Sequence, residues 1–356
     1  MFKLFMDWYQ RRFSDPNAIA LTVVLILLFI IIYFFHTILA PLLIAIVLSY
    51  LLEKPVSWLT SLGFARTIAV TMILFIFLSL MLLIVAILLP LIWQQITDFV
   101  TNIPTMLSSF NYYLSNLPEK YPELMNISLF DTAINNIKNR AIEAGNSIVQ
   151  FSISSLFSFI SILINAVIIP IIIFFLLKDK QIIMDACWRY LPKDRNLMLS
   201  VANTMNQQIS NYIEGTFSQI IILTTMIYVP FYFFELDYGL LLAVAVGVSI
   251  IIPYVGMVIA SLPVVLVALF QWGISTQFGY FMATYLIIGL INGNIVVPIL
   301  FSEALNLHPL VIIVAIIIFG GLWGFWGVFF SIPLATLIKA IIISWPIDEK
   351  TNQFNE

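Results

Sequence analysis

Six residues in the C-terminal half could do chemistry where little else can: Glu214, Gln219, Pro253, Gly256, Asn292 and Asn294. Each is polar or helix-breaking, and each stands in or beside a long apolar stretch. In hydrocarbon an unpaired amide, carboxylate or freed backbone group is costly, so such residues pair with one another or face a cavity. The chemistry open to them is reversible binding, with side-chain amides and backbone groups hydrogen-bonding a polar solute. They are the expected substrate-binding residues, with Asn292-Gly293-Asn294 just ahead of Pro298 as the densest cluster and Ser249 and Ser261 behind them. The competing reading is interhelical hydrogen bonding, in which asparagine and glutamine hold helices together. Glu235, Asp237 and Glu303 fall at expected loop ends and read as solvated, while the isolated His36 and His308 read as structural.

Bond-making chemistry is not indicated. The sequence has no P-loop, no paired histidines on one helix face and no serine-histidine-acid set in a glycine-rich elbow. The expectation is a non-enzyme with no cofactor and no metal site, and ATP-driven transport would need another subunit. A single cysteine, Cys187, excludes an internal disulfide and a cysteine-based metal cluster. A net charge of −3 with no basic stripe gives no reason to expect nucleic acid as a partner.

The elements that must position these residues are membrane helices. Of the 356 residues 62% are hydrophobic and only 9% charged, against about a quarter charged in soluble domains. A crossing helix needs roughly 20 apolar residues. Apolar units are legible at Ala18–Phe35, Thr37–Leu52, Thr67–Trp93, Ile148–Leu177, Phe217–Phe234, Tyr238–Gln271, Gln277–Phe301 and Pro309–Ile343. The first two read as a helical hairpin. The fold class is therefore all-α and polytopic, with about eight membrane segments, and no small-residue cleavage site follows the first of them.

Residues 94–147 are not membranous. Ile96, Phe99, Val100, Ile103, Leu107, Phe110 and Leu114 follow helical spacing, and Phe130, Ile134, Ile137, Ala141, Ala144 and Ile148 form a second such set. Two amphipathic helices around the LPEKYPELMN turn are expected, as a structural cap or oligomer contact. The organisation is then N-terminal helices over 1–93, the amphipathic segment 94–147, a long helix and polar loop over 148–216, a membrane core over 217–345 and a tail over 346–356. Placing the N-terminus inside puts twelve of the fifteen lysines and arginines in the cytoplasm, leaving only Lys120, Lys138 and Arg140 outside. Both termini are expected in the cytoplasm, in a cell inner membrane.

The breaks concentrate in the core. Tyr238–Gln271 is interrupted by IPYVG at 252–256 and Pro309–Ile343 by GGLWGFWG at 320–327. Each is too long for one simple crossing and reads either as an interrupted span or, with the proline and glycine in its middle, as a re-entrant hairpin. Ser261-Leu262-Pro263 is echoed by Ser331-Ile332-Pro333, and Val229-Pro230 with Glu235 by Val297-Pro298 with Glu303, at offsets of 70 and 68 residues. Paired interrupted segments of this kind point to the central site of a transporter.

YIEG at 212–215, IIPYVG at 251–256, LHPL at 307–310 and GGLWGFWGVFFSIPLATLIKA at 320–340, with KDK and LPKDR between, resemble the autoinducer-2 exporter (AI-2E) family of permeases. The resemblance covers almost the whole chain. Members are often written with proline after the IPYVG glycine, where this chain has Met257. The resemblance implies export of a small polar signal molecule in some members, sodium/proton antiport in others, and homo-oligomers. The leading expectation is a permease or exporter of a small polar solute by secondary or facilitated transport, with that solute and the lipid bilayer as its partners. Sodium/proton antiport is the alternative, weakened because Glu214 is the only carboxylate near a span in this half and lies at its end. A non-transporting membrane scaffold is the third reading, with 94–147 as its partner surface.

Overall fold

The computed structural model describes residues 16–115, 156–189, 196–301 and 307–344, and every regular element among them is helical. In chain order these are α1 (Pro16–Ser61), α2 (Arg66–Ser115), α3 (Leu156–Lys178), α4 (Lys180–Arg189), α5 (Asn196–Phe233), α6 (Gly239–Ser249), α7 (Val255–Trp272) and α8 (Thr276–Ile291). A π-helical turn (Asn292–Val296), α9 (Val297–Phe301), α10 (Pro309–Trp323), α11 (Phe325–Phe329) and α12 (Ser331–Ser344) complete the order. Among the described residues, five stretches are long and apolar enough to cross a membrane. The most apolar part of Arg66–Met106 has none of its residues buried within the chain, the pattern of a surface suited to lipid.

The expected hairpin at the N-terminus is not what forms. Pro16–Ser61 is one helix running through Pro41 and Pro55. A proline removes one backbone hydrogen bond and kinks a helix, but nothing in Phe34-Phe35-His36-Thr37 supplies a reversing turn. The first amphipathic set of residues 94–147 is helical as expected, through Ser115, yet it is a direct extension of α2 rather than a separate element. Its second set lies outside the described residues.

The chain divides into two compact units. One consists of Phe75–Ala166 and Thr216–Leu300. Its core takes single faces of four helices: Leu223, Ile227 and Phe231 of α5, Leu242, Ala243 and Val246 of α6, Val264, Val267 and Ala268 of α7, and Phe281, Tyr285 and Ile288 of α8. The i, i+3, i+4 spacing is that of helices each burying one stripe. Phe281 sits at the centre, 5.3 Å from the Phe231 ring and 5.2 Å from Trp272.

The other unit consists of Met1–Leu74, Val167–Gly215 and Phe301–Glu356. Here Ala315, Phe319 and Trp323 line one face of α10 at four-residue intervals and bury against Ala335 of α12. Tyr212 of α5 donates its hydroxyl to the Phe329 carbonyl at 2.9 Å, in a buried bond. That carbonyl lies where α11 ends, so the tyrosine satisfies a backbone group the helix break leaves open.

Candidate functional site

Each interrupted segment folds as a hairpin of helices packed on one another: the 11-residue α6 on the 18-residue α7 in one unit, α10 on α11 and α12 in the other. An 11-residue α6 is about 16 Å long at 1.5 Å per residue, roughly half the hydrocarbon thickness. The two hairpins keep one register at an offset of 70 residues. Tyr238 precedes the first arm of one and His308 the first arm of the other. The reversals fall at Tyr254, φ 63°, and Gly324, φ 59°. Beyond them, Ser261 donates to the Met257 carbonyl and Ser331 to the Val328 carbonyl, both at 2.7 Å.

Close approach of the arms explains the glycines. A Cβ on Gly256 would lie 1.7 Å from the Ser249 carbonyl oxygen, and one on Gly327 would lie 1.8 Å from that of Phe319. No side chain fits at either position. Tyr254 holds a positive φ without being glycine, a conformation that costs roughly 1–3 kcal/mol and collects at functional turns. Pro253 sits one residue before it, and its carbonyl accepts from Val255 N–H at 2.7 Å.

The base of the first hairpin is clamped. Gln271 donates through Nε2 to the Glu235 carbonyl at 2.7 Å and accepts from Asp237 N–H at 2.9 Å. Gln95 Oε1 accepts from Leu241 N–H at 2.8 Å, satisfying one of the donors that a helix leaves open in its first turn. Asn102 donates to the Tyr238 hydroxyl at 3.0 Å, and Phe99 meets the Tyr238 ring edge-on. This part of α2 is thus a structural cap, one of the two roles expected for it. His308 is structural too, its Nδ1 accepting from Leu310 N–H at 3.2 Å.

Of the six expected residues, the structure brings two together directly. Gln219 of α5 and Asn292 at the start of the π-helical turn are both buried, and Gln219 Nε2 donates to Asn292 Oδ1 at 3.2 Å. A π turn widens the helix and frees a backbone group, a feature frequent at functional sites. One turn earlier on α8, Gly289 faces Met257 of α7, and a turn before that Tyr285 shares a 2.6 Å hydrogen bond with Ser261. The amide pair therefore follows directly on the contact between α8 and the first hairpin. Asn294 is not part of the pair: it is exposed and donates to the Leu290 carbonyl of its own helix at 2.9 Å.

Glu214 belongs to the other unit. It forms an ion pair with Lys54 and accepts from the Ser210 hydroxyl at 3.0 Å. Sequence reasoning named the carboxylate but missed its cation, although Glu53-Lys54 stands directly at the end of the second apolar run. It also missed Trp323. That indole is buried, stacked on Phe319 and tilted against Phe29, and its N–H finds no acceptor among the described residues. A buried donor left without a partner is rare, and this one stands beside the Gly324 break.

The family described as AI-2E family transporter matches residues 22–347. The Escherichia coli K12 protein named "Putative permease PerM" is 49% identical over 346 residues, which are 97% of this chain and 98% of its own. "Putative transport protein YrrI" of Bacillus subtilis strain 168 is 28% identical over 312 residues, 86% of each chain. "Putative transport protein YueF" of the same strain is 25% identical over 320 residues, 88% of this chain and 85% of its own.

Proposed function

The chain belongs to the AI-2E transporter family, and we propose that it is an inner-membrane permease that exports a small polar solute by secondary or facilitated transport. The observation that carries this reading is the pair of hairpins in one register, each breaking its helix at a positive-φ residue and a glycine seated on a backbone carbonyl. First arms that stop short of a full crossing, α6 at 11 residues and α10 at 15, place polar backbone groups at membrane depth, where transporters bind their cargo. The buried Gln219–Asn292 pair at a π turn adds a donor and an acceptor that a solute can exchange into. Trp323 adds an unspent donor in the other unit. Amides and an indole suit uncharged or anionic cargo better than a cation.

Sodium/proton antiport calls for an ionisable carboxylate in the translocation path. Glu214, the carboxylate the sequence offers for it, is neutralised by Lys54. A pure scaffold is disfavoured because Gln95, Phe99 and Asn102, within the segment that would be its partner surface, are engaged with the hairpin base. For the topology, we place the loops carrying Lys54, Arg66, Lys178 and Lys180, and the C-terminus, in the cytoplasm on the lysine and arginine bias.

The test is a metabolite-flux screen in proteoliposomes of the full chain. A small polar solute should move across vesicles with wild-type protein, and its flux should fall about tenfold or more in Gln219→Leu, a loss of about 1.4 kcal/mol of transition-state stabilisation. Folded wild-type protein that moves no solute in the screen, or a Gln219→Leu variant that moves it equally well, overturns the reading.

A further inference from the structure

A cavity of about 190 Å³ lies within the unit that contains α4 and the C-terminal half of α3, and none of its lining residues belongs to the hairpin breaks. Sites that enclose a whole small-molecule ligand run to roughly 300–1,000 Å³. This one takes one end of a molecule whose remainder stays outside. Leu176, Ile183 and Met184 form its apolar wall, while Glu53, Lys180 and Asn206 present polar groups to it.

The charge there does not cancel. Glu53 accepts from Lys180 Nζ at 3.1 Å through one carboxylate oxygen and from Arg66 Nη2 at 2.7 Å through the other. Arg66 is fixed in place, donating from Nε and Nη2 to the Leu177 carbonyl at 3.0 and 2.8 Å. One carboxylate thus serves two cations, a net charge of +1 for the three groups, with Lys180 and Glu53 lining the cavity and Arg66 behind Glu53. The neighbouring Lys54–Glu214 and Lys178–Asp179 pairs are neutral in themselves. Lys180 is about half exposed, at 47%, and an ammonium carries three N–H donors.

Position identifies the source of the anion. The apolar helix Ile164–Lys178 ends beside the cavity, and α4 starts two residues later. On α4, Ile182, Ile183 and Met184 are exposed next to Lys180, Asp185 and Arg189. A short helix leaving a membrane span with apolar and charged residues both exposed sits at headgroup level, and basic pockets at that level between membrane helices bind lipid phosphates. We propose that this cavity binds the phosphate of an anionic membrane phospholipid, with Lys180 as its cation and the lipid chain lying along Leu176 and Ile183.

The experiment is native mass spectrometry of the full-length protein in detergent, titrated with short-chain phosphatidylglycerol. One lipid per chain should be retained. Lys180→Gln should weaken its apparent Kd about five- to tenfold, the worth of one lysine to an anionic surface. Met184→Trp, which fills the cavity and leaves the charges, should abolish retention, whereas Lys180→Arg and Lys178→Gln should bind as wild type. Neither sodium phosphate nor neutral diacylglycerol should displace the lipid at equal concentration. Displacement by free phosphate would make this a soluble-anion site and overturn the proposal. So would unchanged binding in Lys180→Gln and Met184→Trp, which would mark the lipid as non-specific.

Discussion

Replacing Gly256 by alanine adds one carbon where the structure has no room for one. The new Cβ would start 1.7 Å from the Ser249 carbonyl oxygen and 2.6 Å from its carbon, and the obstacle is backbone rather than a side chain that could turn aside. Restoring even a 3.0 Å contact requires the arms of the first hairpin to part by about 1.3 Å. Overpacking a rigid site typically costs about 1–3 kcal/mol, and at about 2–4 °C per kcal/mol, the figure for domains of roughly 150–250 residues, the unfolding midpoint should fall by roughly 2–12 °C. Gly327→Ala should do the same in the second hairpin, where the Cβ would stand 1.8 Å from the Phe319 oxygen. Gly321, in the arm facing Gly327, provides the contrast: nothing lies within 4 Å of a Cβ there, and alanine in a helix interior is favoured over glycine by about 1 kcal/mol. The assay is thermal unfolding of purified protein followed by tryptophan fluorescence, with flux in vesicles as the second readout. The two seated glycines should lose stability and transport together, and Gly321→Ala should lose neither. Gly256→Ala protein that melts within about 1 °C of wild type, well inside the expected shift, would refute the close approach, and with it the hairpin as the organising feature of the core.

Other predictions follow from the same geometry. In a double-mutant cycle between Gln219→Leu and Asn292→Leu, the coupling in stability should be about 0.6 kcal/mol, as for hydrogen bonds between membrane helices, while flux falls in both single mutants; zero coupling would mean the 3.2 Å bond is not formed in the membrane. Glu214→Gln should leave solute flux within about twofold of wild type, because its carboxylate serves Lys54 rather than cargo; abolished flux with loss of pH dependence would favour antiport. A cysteine at Ser275, in Cys187→Ser protein, should react with an impermeant maleimide from the periplasm, since a hairpin that turns back at Tyr254 returns residues 273–275 to the side it left; labelling only after the membrane is opened would mean Gly239–Trp272 crosses.

How much of this could be read from the chain depends on whether a signal is local. The breaks were legible because proline and glycine act on their own backbone: IPYVG and GGLWGFWG fall where the helices reverse, and the 70-residue echo of Ser-x-Pro marks arms that turn back at the matching positions Tyr254 and Gly324. The earlier part of that echo did not survive, since α5 runs straight through Pro230 whereas Pro298 follows a π turn. A proline in an apolar helix removes one hydrogen bond wherever it stands, and whether the helix closes over the gap depends on neighbours that the sequence does not name. The same limit separates Gln219, whose partner is 73 residues away, from Asn294, which satisfies itself one turn back: both read as buried amides from type and setting. Glu214 shows the consequence for function. From spacing alone it was the available proton carrier of the C-terminal half, and only the folded chain brings Lys54 to it across 160 residues of sequence. A carboxylate so neutralised is a tether between helices, and the proposed solute site therefore rests on the amides and backbone turns that remain.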